Sequence, residues 1–156
     1  MSWEDFYQRR DAINAALQHI HEGPCGPLPL GVFRDETELL LALHHKWLMA
    51  LTGRLELALA ETGDPVEAVA EAWRATATGH EALRRLLDDE THRETLRPAI
   101  EGEQRLLALS AGLAAPDEPT GEITAAGAAF LALVRSRPAR RRNPVEQLLR
   151  RLVASA

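Results

Sequence analysis

The chain predicts an all-α fold, a bundle of about six to seven helices, and three observations carry that expectation. Alanine (26) and leucine (25) make about a third of the 156 residues, and both are strong helix formers. Isoleucine and valine together number 10 and aromatic residues 7, so the side chains that strands prefer are scarce. Apolar residues also recur every three or four positions, in stretches bounded by capping residues and prolines. The length suits a single helical domain over residues 1–156 with its own core.

The elements follow in order. Ser2 and Asp5 form a capping pair, and the stretch they open holds neither glycine nor proline as far as Glu22, which predicts a first helix. Residues 23–34 are a Pro/Gly-rich connector: three prolines and three glycines fall between Gly23 and Val32, and helix is excluded there. Asp35 caps a long helix to about Glu61, where Thr62-Gly63 stops it. One of its buried stripes is Leu40, His44, Trp47, Leu51, Leu55 and Ala58. Asp64-Pro65 opens another helix, with Val66, Val69, Ala70, Trp73 and Ala77 at helical spacing up to Gly79. A shorter helix is expected from Glu81 to Asp88, burying Leu83, Leu86 and Leu87, with Glu81 placed to pair with Arg84 and Arg85. A turn over 91–96 precedes Pro98, which is expected to restart the chain into a helix through about Ala111, its apolar line of Ile100, Leu107 and Ala111 interrupted by Glu103 and Gln104. After a linker at 114–119, a helix runs from Thr120 to about Ser136. A basic linker (135–143) leads to a last helix opened by Asn143-Pro144-Val145-Glu146, with a stripe of Val145, Leu148, Leu149, Leu152 and Val153.

Charge divides the chain. The last 22 residues hold seven arginines and one acid, a net +6, so the first 134 carry −11 of the overall −5. Arg140, Arg141 and Arg142 are the candidate nucleic-acid contacts of that tail, but no aromatic residues interleave them and a solvated linker needs no ligand. A single cysteine, Cys25, permits no internal disulfide, the start of the chain is acidic, and no apolar run approaches a membrane span. The expectation is a cytoplasmic protein without a membrane segment.

Spacing decides the metal question. None of the six histidines stands in His-x-x-x-His, Glu-x-x-His or His-x-x-x-Glu register; His44-His45 point about 100° apart on a helix and His19-x-His21 about 200° apart. No metal or other cofactor is expected, and no phosphate-binding glycine loop or nucleophile–base pair is present. Two features remain. His44 sits on the apolar stripe between Leu40 and Trp47, where a core-edge histidine satisfied by a carbonyl or carboxylate is the plain account. Glu103 and Gln104 lie on an otherwise apolar line, and the plain account rotates both to water. If Glu103 faces inward instead, it needs a partner or a wet cavity, and His44, Trp47, Trp73 and Glu103 become the convergent groups of a ligand-binding pocket.

The helix near 120–136 speaks to assembly. Ile123, Gly127, Phe130, Leu131 and Val134 make a bulky face, while Ala125, Ala128, Ala129 and Ala132 make a second, small-residue face that a neighbouring backbone can approach. Apolar residues on both sides of a helix in so short a chain predict a homodimer, with Leu149 and Leu152 of the last helix completing the interface.

Two segments also carry a family resemblance. Arg9-Arg10-Asp11-Ala12-Ile13-Asn14-Ala15-Ala16-Leu17, leading to Glu22-Gly23, is similar to the first helix of TetR-family transcriptional regulators. Phe33-x-Asp35-Glu36-x-Glu38-Leu39-Leu40-x-Ala42 resembles the start of that family's fourth helix, and the helices through Leu87 look like its ligand-binding half. The family's DNA-recognition helices would lie between these segments, where nine residues with three prolines, Pro24 to Val32, stand instead. The resemblance thus implies a TetR C-terminal-domain-like body without a helix-turn-helix: a non-enzymatic, homodimeric regulatory or binding protein for a small apolar ligand or a protein partner. It also implies a dimer interface made by the last two helices, in agreement with the two-faced helix at 120–136.

Overall fold

A computed structural model describes residues 1–23, 26–61 and 63–137. These form α1 (Trp3–Glu22), α2 (Glu36–Ala60), α3 (Pro65–Gly79), α4 (Glu81–Leu87), a single 3-10 turn (Glu90–His92), α5 (Arg93–Ser110) and α6 (Thr120–Ser136). No strand occurs among the described residues, and no helix of theirs is long and apolar enough to cross a membrane. Arg140, Arg141, Arg142, Leu149, Leu152 and the expected last helix lie outside the described residues, as do Pro24 and Cys25.

Three of the caps read from the sequence, Ser2, Asp35 and Asp64, act as expected. The Ser2 hydroxyl accepts from the Asp5 amide (3.1 Å) while the Asp5 carboxylate accepts from the Ser2 amide (2.9 Å). Asp35 accepts from the Glu38 amide at 2.8 Å, and Asp64 from that of Val66 at 3.0 Å with Pro65 in the first turn of α3.

The long α2 is the axis of the bundle. Leu39, Leu40, Leu43, Trp47 and Leu51 are its fully buried ridge, and α3, α4 and α5 pack around it. Opposite charges and an aromatic ring fasten α1 to the start of α2: Arg9 lies 4.8 Å over the buried Phe33 ring and 3.1 Å from Glu38. Gly31 turns the connector there with φ +55°, and a Cβ on it would stand 2.7 Å from the Ala12 Cβ, so the loop rests directly on α1.

The structure redraws two local expectations. Pro98 does not restart the chain; α5 is one helix from Arg93, with Pro98 just beyond the four N-terminal positions whose amides are unpaired in any helix. The lost backbone bond is offset by burial of Leu96 and Leu107 on either side. The second concerns α6. Its bulky face packs along α5, but the close backbone approach is made by Gly127 within that face, not by the alanines. A Cβ at Gly127 would meet the Gln104 carbonyl oxygen at 1.8 Å and its carbon at 2.4 Å. Ala125, Ala129 and Ala132 are exposed and Ala128 is half-buried.

Gly127 and Gly53 therefore make an opposed pair. Alanine at either position improves helix propensity by about 1 kcal/mol, which at Gly53, where a Cβ meets nothing within 4 Å, should appear as a gain. At Gly127 the clash is with backbone, and Gly127→Ala is expected to destabilise by about 3 kcal/mol in urea unfolding. A Gly127→Ala variant at least as stable as the parent would contradict the α5–α6 packing.

Candidate functional site

Glu103 faces inward. It is 2% exposed, on the side of α5 that meets α2, α3 and α4. The expected rotation to water is overturned, because inside the bundle its carboxylate finds a full set of donors. Trp47 Nε1 and Trp73 Nε1 both donate to Oε1 at 3.1 Å, and His44 Nε2 lies 3.2 Å from Oε2. With the carboxylate ionised, that last contact is a hydrogen bond when His44 carries its proton on Nε2. The two indoles meet edge to face at 6.0 Å between centroids.

A second layer of charge closes over the indoles. The Arg84 guanidinium sits 4.6 Å above the Trp47 ring, with Nη1 3.6 Å from Glu103 Oε1 and Nε and Nη2 donating to Asp88 at 3.2 and 2.9 Å. Arg135 of α6 donates through both Nη atoms to Asp88, at 3.0 and 2.8 Å, and lies 5.0 Å above the Trp73 ring. The expected pairing of Arg84 with Glu81 is thus replaced by an inward pairing, since a buried carboxylate attracts a guanidinium more strongly than an exposed one. Two carboxylates face two guanidiniums, so their charges balance.

Burial pushes the Glu103 carboxyl up, but the His44 hydrogen bond, the Arg84 charge and the two indole donors outweigh it and hold it below its ordinary value of 4.5. Burial likewise raises Asp88, and the Arg135 bond with the Arg84 charge brings it down below 3.8. All four residues expected to line a pocket, His44, Trp47, Trp73 and Glu103, therefore come together, and they are spent on one another in a closed cluster at most 6% exposed.

A hollow of about 350 Å³ adjoins the outer charges of the cluster, Arg84, Asp88 and Arg135, and a more apolar one lies elsewhere. A half-open cleft of about 460 Å³ runs between the end of α1, the connector, the start of α2, α4 and the 3-10 turn. Ile20, Leu28, Ala82 and Leu86 give it an apolar floor; His19, His21, Glu36, Arg85, Asp89 and His92 stand around it. His92 Nδ1 faces Glu36 at 3.6 Å, and one Asp89 oxygen accepts from the Thr91 amide and hydroxyl at 2.9 and 2.7 Å. Sequence reasoning missed these residues, because each is unremarkable in its own segment and the two walls are some 70 positions apart. The one available signal was a cluster of histidines at the end of the first helix. Among the described residues no three metal-ligating side chains are grouped to hold an ion.

No protein family, curated protein or solved structure matches the chain. Its functional reading rests on this geometry.

The depressed Glu103 carboxyl has a pH consequence with a definite sign. Its stabilisation is fully present above the unfolded value of 4.5 and is lost as pH falls through the lower folded value. Glu103→Gln is expected to cost about 3 kcal/mol at pH 7 and to flatten the dependence of stability on pH below 4.5, read by urea unfolding across that range. Equal neutral-pH stability with an unchanged acid limb would show that the charge does not organise the core.

Proposed function

We propose that this chain is a non-enzymatic binding protein, a TetR-like homodimeric body without a helix-turn-helix, that holds a small, largely apolar molecule in the cleft between α1 and α4. The cleft is the observation that carries this reading. Its volume lies in the range of small-molecule sites, and it joins an apolar floor to a few polar groups, as such sites do. The buried Glu103 cluster serves as the rigid framework behind it, since Arg84 of that cluster and Arg85 of the cleft are neighbours on α4. The connector is where this reading departs from the TetR pattern: it joins α1 directly to the long α2 and forms one wall of the cleft.

Support for the homodimer comes from α6. Its Ala125, Ala129 and Ala132 are exposed together with Leu133, an apolar helix face with no cover from the described residues of the same chain. A protein partner on that face is the other reading of the same surface.

Two measurements test the proposal. Titration of the labelled protein with 3-phenylpropanol, followed by amide chemical shifts, should move Ile20, Leu28 and Leu86 first; shifts scattered elsewhere, or none at millimolar alcohol, would remove the cleft as a site. Light scattering coupled to gel filtration should give twice the chain mass of 17.2 kDa, and Ala129→Arg should return it to 17.2 kDa with helicity retained. A parent protein of 17.2 kDa at micromolar concentration would refute the dimer.

A further inference from the structure

We infer that the cleft recognises a free apolar α-amino acid, its side chain on the apolar floor and its two charged groups held by Arg85 and Asp89. This inference rests on the cleft being the ligand site. Arg85 and Asp89 stand one helical turn apart in sequence and line the same cleft, yet they do not come within 4.0 Å of each other and form no ion pair. Arg85 has no hydrogen-bond or ion-pair partner among the described residues. Asp89 spends one oxygen on Thr91, and the other accepts no hydrogen bond from the described residues. Arg84 closes on Asp88 at 2.9 Å, but Asp89 has already left α4, with extended backbone (φ −63°, ψ 125°), so the same i,i+4 closure is not open to Arg85 and both charges face the cleft unpaired with each other.

An open pair of opposite charges over an apolar floor is matched by a molecule that bears both charges beside an apolar group. A simple carboxylate would satisfy Arg85 but face Asp89 and Glu36; a simple amine would satisfy the acids but face Arg85. A zwitterion pairs with both. His19 also lines the cleft, and its buried Nε2 has no hydrogen-bond partner among the described residues. Ile20, Leu28 and Leu86 then select an apolar side chain over a polar one.

The test uses four probes that share one apolar body: phenylalanine, phenethylamine, 3-phenylpropanoate and 3-phenylpropanol, titrated into the full chain by calorimetry. Phenylalanine should bind about tenfold tighter than either singly charged analogue. Arg85→Gln should bring phenylalanine down to the affinity of phenethylamine. Asp89→Asn, which keeps an oxygen for the Thr91 cap, should bring it down to that of 3-phenylpropanoate. Both side chains are exposed, so both variants are expected to fold, which circular dichroism checks. Equal binding of all four probes, unmoved by either variant, would overturn the zwitterion inference and leave the cleft as an apolar site. Tighter binding of the acid or the amine alone would also overturn it. No binding of any probe would overturn the cleft reading and this inference together.

Discussion

The helices from α2 to α6 are arranged around one ionised carboxylate taken out of water. Removing the hydration of Glu103 costs several kcal/mol, and it is tolerable only because two indole donors, an imidazole and a guanidinium replace that hydration at fixed distances. Those donors come from α2, α3 and α4, the acceptor from α5, and Asp88 extends the chain of charge to Arg135 on α6. Five helices thus share a single electrostatic object. Leucine packing alone tolerates a helix sliding by a fraction of a turn, whereas a displaced donor here leaves a buried charge unpaired. The cluster therefore sets rotation and register, a role that apolar burial does not supply.

The same organisation explains where open space is found. The body from α2 to α6 is tied by the Glu103 cluster and the leucine ridge, but α1 takes no part in that network. It contributes Ala12 and Ala16 to the fully buried core and is fastened at its middle by Arg9, Phe33 and Gly31. Its C-terminal end, with His19, Ile20 and His21, faces α4 and the start of α2 across the cleft. Small-molecule sites often lie between such units, where packing is completed by a ligand rather than by the chain.

The two faces of α6 separate two uses of small residues. Gly127 is small because the Gln104 backbone of α5 passes against it, and the interhelical distance depends on the missing methyl group. Ala125, Ala129 and Ala132 opposite are small yet exposed, which is why they speak to assembly and Gly127 to the fold. Composition treats both as small apolar positions; only the partner on the other side distinguishes them.

The first three helices and their caps were legible in the sequence because they are decided by residues within a turn of one another: Ser2 with Asp5, Asp35 with Glu38, Asp64 with Pro65. The class was legible because alanine and leucine leave little else for the chain to form. His44, Trp47 and Trp73 were placed correctly on inner faces by period alone, since an apolar stripe marks its own side of a helix. The orientation of Glu103 was not legible. An acid on an apolar line faces in or out according to whether donors wait for it, and those groups are 19 to 59 positions away. Nor was the cleft, whose two walls meet only when α1 folds back on α4. Local chemistry settles which segments are helices; which polar groups they bury and which they leave open is settled by partners brought together in three dimensions, through the cost of leaving a charge unpaired away from water.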